Sequence, residues 1–293
     1  MAKSNKSEHR LRVGVEIAAD RVIAARADAT GKTLENVATR TLPAGAIVPT
    51  LMADNIQDRI ALVNAVREAL ASVGTKGRDI ALVLPDAASR VSMLDFDVLP
   101  EKRDDAEGVI RFRLKKSLPF DVDKAAVSYE AMPSDGGVKV VAAVAMQSVV
   151  DEYERVVREA GFTPGMVVPS MAAALGAVDA TRPTLVVKVD PTTISIAIVH
   201  NNELMLFRTI ELTTNMDAEQ IADDVYPAMV FFEDTYHTRV ERLVVGGANS
   251  AHVVASLERA TGLHPQELIG TSIVSGSEAD RAAMGGVVGA LIG

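Results

Sequence analysis

The 293-residue chain reads as an α/β protein in which one unit is written twice, with a β-α-β-β-α block set between the copies. Two observations predict this. A meander of three short apolar strands, followed by a helical pattern and a buried-looking strand, begins near Val13 and returns in the same order at Thr184. Between the copies, further strand and helix patterns amount to a small subdomain of their own.

In the first copy Val13 to Ala18 alternates as a strand, and Val22 to Ala27 follows after a short loop. Asp28-Ala-Thr-Gly31-Lys32 supplies turn chemistry before a third strand, Leu34 to Thr41. A helix is expected over Asn55 to Ala71, with Asp54 as N-cap and Ile56, Ile60, Val63 and Val66 on one face. Asp79 to Leu84 reads as the strand that closes the unit. The inserted block then comprises a strand over Arg90 to Val98, a helix over Asp104 to Leu118, and strands over Ala126 to Ala131 and Val138 to Met146. Its last member is an amphipathic helix over Gln147 to Ala160, with Val149, Tyr153, Val156 and Ala160 inward and Gly161 past its end. A strand at Met166 to Val168 and a small helix at Met171 to Val178 lead back to Pro183.

The second copy runs Thr184 to Val189, the loop Asp190-Pro-Thr-Thr193, Ile194 to His200, a tight turn at Asn201-Asn202, and Glu203 to Ile210. A helix from about Met216 to Thr235 places Ile221, Val225, Ala228 and Phe232 in register, and Pro227 inside it is expected to kink it. Arg242 to Val245 is the closing strand. Ser277 to Gly293 reads as one small-residue helix whose Ala282, Ala283, Gly285, Gly286 and Gly289 suit close approach to another backbone. The domains expected are therefore 11–85 with 162–182, the insert 86–161, and 183–293, with the last helix packing back on the first half.

A formal charge of -9 and a pI near 5.1 argue against a nucleic-acid binder, which needs concentrated Lys and Arg to neutralise phosphate. With no Cys there is neither a disulfide framework nor a thiolate metal site. Residues 1–10 are polar and lack the apolar run of a signal peptide, and Val138 to Met146 and Ala282 to Ile292 fall short of the roughly 18 residues that span a bilayer. The expectation is a cytoplasmic protein that meets a membrane only through a partner. No Walker A loop, G-x-G-x-x-G or G-x-S-x-G is present, and His9, His200, His237, His252 and His264 form no pair at metal-ligand spacing.

Three strands, helix, strand, helix in duplicate is the layout of the superfamily of actin, the heat-shock chaperone ATPases and the sugar kinases, with its two RNase H-like halves. Within it the chain resembles the type IV pilus assembly protein PilM family, related to the actin-like division protein of the FtsA type. The resemblance covers about Leu11 to Gly293. It is carried by Ile110-Arg-Phe-Arg-Leu-Lys-Lys-Ser-Leu-Pro-Phe120 with Val127-Ser-Tyr129, and by Ala142 to Met146 with Tyr153 and Glu159-Ala-Gly-Phe162. Gly246-Gly247-Ala248 and the glycine-containing last segment add to it. The resemblance implies a cytoplasmic protein of the inner-membrane pilus platform with ATP and Mg2+ in its cleft. It also implies a groove between the first half and the insert that grips the N-terminal peptide of a bitopic, PilN-type membrane partner.

Actin-like sites present backbone N–H groups of two hairpin loops to phosphates, with an Asp at each hairpin helping to hold hydrated Mg2+. The first loop here is Glu16-Ile-Ala18-Ala19-Asp20-Arg21: Glu16 replaces the Asp, with reach to a metal through water, Ala18 the Gly, and Asp20 a hydroxyl. An Asp20 carboxylate about 4 Å from a phosphate would be repelled by roughly 4 kcal/mol at an effective dielectric near 20, unless Arg21 or a metal compensates. In the second loop Lys188 stands where the Asp is expected and Asp190 where the Gly is, Pro191 removes a donor, and Thr192 and Thr193 keep hydroxyls. Lys188 is expected to replace the metal's charge and to contact phosphate directly. Gly246, Gly247 and Ala248 form the third turn, which packs against the nucleoside in the family and otherwise serves as a strand-to-helix turn capped by Asn249 or Ser250.

The inserted helix orders acids (Asp104, Asp105, Glu107) before bases (Arg111, Arg113, Lys115, Lys116), which suits the helix macrodipole. Arg113, Lys115 and Lys116 are also the candidates for docking an acidic partner segment or lying near anionic lipid. The reading favoured by the altered loops is a scaffold with a degenerate nucleotide site. The alternatives are an active ATPase or kinase of the same fold, and the cytoplasmic part of a type II secretion platform.

Overall fold

The computed structural model describes residues 11–52, 54–75, 77–134, 136–213 and 216–293. Residues 1–10, and with them His9 and the expectation about a leader, lie outside the described residues. The chain opens with strands β1 (Val13–Ile17), β2 (Arg21–Ala27) and β3 (Leu34–Thr41), then helix α1 (Arg59–Val73) and strand β4 (Asp79–Leu84). Strand β5 (Arg90–Phe96), helix α2 (Arg103–Leu114), strands β6 (Ala125–Ser134) and β7 (Gly137–Met146), and helix α3 (Gln147–Glu159) follow. Strand β8 (Thr163–Pro169) and helix α4 (Ser170–Ala174) lead to β9 (Thr184–Val189), β10 (Thr193–His200) and β11 (Glu203–Glu211). Helix α5 (Ala218–Tyr236), β12 (Arg242–Gly246), α6 (Val254–Thr261), β13 (Pro265–Glu267), α7 (Glu278–Ala282) and α8 (Gly285–Ile292) complete it.

The duplication is real in space. One sheet has the order β3-β2-β1-β4-β8 and the other β11-β10-β9-β12-β13, while β5-β7-β6 forms the sheet of the insert. In both large sheets the meander is antiparallel, and the strand after the helix joins parallel to the first strand. Period-two alternation assigns the faces. Val13, Val15 and Ile17 of β1 face a core shared with α1, whereas Leu185, Val187 and Val189 of β9 face one shared with α5 and α6. The opposite faces enclose a middle core in which Ile23, Ala25, Val186 and Ala197 meet Met171, Val287 and Leu291. Helices α4 and α8 thus lie between the two sheets, and α8 reaches β1, β2 and β4 of the first half.

Three expectations change. Helix α1 begins at Arg59 with Asp58 as its cap, whose carboxylate accepts from the Ala61 N–H at 2.9 Å, not with Asp54. The preceding residues are held elsewhere: Ile56 bridges Ile47, and the N–H groups of Asn55 and Ile56 donate to the Glu152 carboxylate at 2.9 and 3.0 Å. Ile60, placed on the apolar face by periodicity, is 76% exposed.

Second, α3 ends the inserted block in sequence but buries Val149, Tyr153, Val156 and Val157 in the core of the first half. At about 2 kcal/mol for each fully buried apolar side chain, this outweighs the surface ion pairs around it, each worth well under that. Third, the final segment is two helices. Ser277 caps α7 by accepting from Asp280 N–H at 3.2 Å, and α8 restarts at Gly285. The break lets α8 lie against α4, where a side chain at Gly289 would collide with the Ala173 carbonyl.

Helix α5 runs through Pro227 for 19 residues, with a capping box between Asp217 and Gln220 at its start. Asn201 and Asn202 take φ of 53° and 62°, the left-handed pair a tight hairpin turn requires.

Candidate functional site

The two hairpin loops are equivalent down to their hydrogen bonds. Ala18 N–H donates to Arg21 O at 2.9 Å, as Asp190 N–H does to Thr193 O at 2.9 Å. Leu42 N–H reaches Asp20 O at 2.8 Å, and Leu212 N–H reaches Thr192 O at 2.8 Å. By this correspondence Glu16 and Lys188 occupy the same position in the two halves. Both sit near the carboxyl end of the strand at the centre of their sheet, on the face turned toward the other half.

They meet. The Lys188 ammonium is in direct contact with Asp190, 3.7 Å from Asp86 Oδ2 and 4.0 Å from Glu16 Oε1. Glu16 accepts a hydrogen bond from Ser170 Oγ on one oxygen and from Val287 N–H, at 2.8 Å, on the other, which places it at the N-terminus of α8. Asp86 accepts from Met171 N–H at 2.8 Å and from Ser195 Oγ of the second half at 2.9 Å. Lys188 is 1% exposed and Glu16 and Asp86 are buried as well.

Burial pushes the Glu16 and Asp86 carboxyls above their usual range, and the nearby Lys188 charge only partly restores them. Burial alone would lower Lys188, but Asp190 first, then Asp86 and Glu16, outweigh it and raise the ammonium's pKa. The lysine therefore remains charged.

The space left between the two loops is a cavity of about 10 Å³, lined by Glu16, Ala18, Asp86, Asp190, Pro191 and Thr192 among others. That is room for about one water-sized group. Asp20 is held by its neighbour, since Arg21 donates to both carboxylate oxygens at 2.9 and 2.6 Å. Thr193 is buried at the start of β10.

The third turn does not line this gap. A Cβ at Gly246 would lie 2.7 Å from Leu268 Cδ2, and Gly247 (φ +94°) packs flush on the Val189 backbone while its N–H donates to Ala282 O at 2.7 Å. Ala248 packs against the middle core, and neither Asn249 nor Ser250 makes a side-chain cap. Among the described residues, no group of three or more His, Asp or Glu side chains is arranged to hold a metal.

Arg113, Lys115 and Lys116 are exposed on and just beyond α2, with the Arg113 guanidinium 5.7 Å from the Phe96 ring centre. They line neither the loop gap nor the groove described next. No sequence motif marks Asp86, Ser170 or Ser195. The signal that points to Asp86 is its place directly after a strand parallel to β1, where open α/β sheets gather their polar groups.

A second concavity, of about 140 Å³, lies between the first half and the insert. Its walls are Val167, Val168 and Pro169 of β8, Ala126, Val127 and Ser128 of β6, and Ala143 and Ala145 of β7, with Val150 of α3 between them. Both β8 and β6 are the outermost strands of their sheets. An apolar slot between two strand edges suits an extended peptide, which gains main-chain hydrogen bonds from an edge and side-chain pockets from the slot.

Solved structures share this architecture. One, of a PilM-PilN type IV pilus biogenesis complex, superposes with a TM-score of 0.79 at 16% identity, over 97% of this chain and 98% of the other. A Bacteroides thetaiotaomicron protein of actin-like ATPase fold and unknown function gives 0.55 at 9% identity, over 97% and 99%. The fold is actin-like. A further likeness is to the cytoplasmic domain of EpsL, an inner-membrane component of the Vibrio cholerae type II secretion system, at a TM-score of 0.55, 9% identity and 94% of each chain. No family model and no curated relative matches the sequence. The PilM resemblance read from the motifs is thus met by a likeness in fold over the whole chain. Among the described residues no helix is long and apolar enough to cross a membrane.

Proposed function

We propose that this chain is an actin-like scaffold of a type IV pilus inner-membrane platform. It lies on the cytoplasmic side and takes the N-terminal peptide of a bitopic, PilN-type membrane protein into the groove between β8 and β6. The groove is the observation that carries this reading: it is apolar, bordered by two strand edges, and lies where the resemblance to PilM expects a peptide. The likeness to a PilM-PilN complex supports the choice of partner. The functional units on this reading are 11–85 with 162–182, the insert 86–161 as the far wall of the groove, and 183–293.

The cleft fits ATP and Mg2+ poorly. Lys188 stands at the hairpin position where a metal-holding acid is needed, its ammonium already surrounded by Glu16, Asp86 and Asp190. Pro191 has no N–H to offer a phosphate, and the gap between the two loops, about 10 Å³, has room for about one water-sized group. Peptide recognition is therefore the activity to measure.

The test is fluorescence anisotropy with a labelled synthetic peptide from the cytoplasmic N-terminus of the PilN-type protein of the same organism. Val150→Glu with Val168→Glu places two charges in the slot and should weaken binding at least about tenfold with little change in melting temperature. Unaltered affinity in the folded double variant would remove the groove from the account.

A further inference from the structure

We propose that the Lys188 ammonium is this cleft's own cation, standing in for a bound metal ion and joining the two halves without nucleotide. The proposal rests on the reading of the cleft as unsuited to Mg2+ and ATP, and not on the pilus assignment.

The duplication supplies the first part of the argument. Equivalent hydrogen bonds in the two hairpin loops put Glu16 and Lys188 at the same position of the two copies. Two acids at this pair of positions would repel across the cleft and need a cation between them. Here one of the pair is a base, so the attraction is direct and the mediator is unnecessary. A single acid-to-base change at one position of one copy suffices for this.

Distances and burial supply the second part. Glu16 lies on β1 of the first half and Asp86 just past β4, where the insert begins, while Lys188 and Asp190 belong to the second half. The ammonium is 4.0 Å from the Glu16 carboxylate, 3.7 Å from that of Asp86, and in contact with Asp190. An ammonium that is 1% exposed loses its hydration, and such a group persists only when surrounded by opposite charge. Its partners are themselves fixed: Glu16 by Ser170 and Val287, Asp86 by Met171 and Ser195. Through Ser195 and Lys188 the Asp86 carboxylate is bound twice to the opposite half.

Crowding at α8 supplies the third part. A Cβ at Gly286 would lie 2.6 Å from Glu16 Oε1, so the helix backbone closes the cluster from the side. With about 10 Å³ left between the loops, the ammonium already fills the place of an added ion. The consequence is a cleft held in one state, so that peptide capture in the groove is not gated by nucleotide.

The experiment compares wild type with Lys188→Ala by thermal unfolding, alone, with Mg2+ and ATP, and with propylammonium chloride against sodium chloride at equal ionic strength. Wild type should melt at the same temperature with and without Mg2+ and ATP. The variant should melt about 8 °C lower, as loss of one partner of a buried ion cluster implies, and recover part of that loss with propylammonium only. A wild-type melting temperature raised by Mg2+ and ATP, or a variant as stable as wild type, overturns the proposal. If Lys188→Ala does not fold, Lys188→Met combined with Asp190→Asn removes one charge of each sign and keeps the stem. A double variant more stable than Lys188→Met alone would show that charge balance is what Lys188 supplies, and one no more stable would overturn the proposal. Peptide affinity measured on the same wild-type sample reads the scaffold function separately, because its loss would leave the unfolding result intact.

Discussion

The loop cleft and the apolar groove beside β8 are both junctions between parts of this molecule, yet they are built from opposite materials. The cleft brings four ionisable side chains together around about 10 Å³ of space, with Glu16, Asp86 and Lys188 buried and Asp190 partly so. The groove exposes apolar side chains and two strand edges around about 140 Å³. A buried charge cluster is intolerant because each group depends on the others for its solvation. An apolar slot with free main-chain edges is tolerant, and it gains by being covered. The first is suited to fixing two halves, and the second to receiving a segment from outside.

Changes that break the cleft should therefore act on stability, and those in the groove on binding. The largest effect on stability is expected from Gly289→Val, whose added atoms meet the Ala173 carbonyl and force α8 off α4. Urea denaturation should show a loss of about 3 kcal/mol, with peptide affinity per folded molecule unchanged.

A smaller effect should appear with pH. Glu16 and Asp86 have folded-state pKa values above their ordinary 4.5 and 3.8, so the folded chain holds these protons more tightly than the unfolded one. Their contribution is complete below the ordinary values and is lost as pH rises through the folded ones. The raised Lys188 acts in the same sense near and above its ordinary 10.5. Urea midpoints followed as pH rises above the ordinary carboxyl values should thus decline less steeply in Glu16→Gln than in wild type. An identical slope would take Glu16 out of the titrating cluster.

The smallest effect is expected from Asp217→Ala, which removes the capping box of α5 on the far face of the second half. It should cost about 1 kcal/mol and leave both peptide affinity and the pH slope unchanged, so a change in either would show the two regions to be coupled through α5.

Much of this architecture is legible residue by residue. Thr184–Val189, Leu34–Thr41 and Asp79–Leu84 are strands at the bounds their alternation predicts, and α5 buries the Ile221, Val225, Ala228 and Phe232 stripe. The start of α1 is not legible, because Asp54 and Asp58 are equally good caps in isolation. The choice is made by Glu152, a residue of α3 that binds the N–H groups of Asn55 and Ile56. Lys188 stands out in the sequence as a base where an acid is expected. Its partner Asp86 does not, since nothing near Leu-Pro-Asp-Ala marks it until β4 is laid beside β1.

By itself the sequence determined the duplicated α/β plan, the inserted block and the altered chemistry of both hairpin loops, because alternation, capping and turn residues act over a few positions. Only the tertiary structure decided that buried Glu16, Asp86 and Lys188 cluster with a partly buried Asp190, that α3 packs with the first half, and that α8 wedges between the sheets. Those outcomes depend on contacts between residues far apart in the chain, and local preference carries no record of which distant surface will exclude water from them.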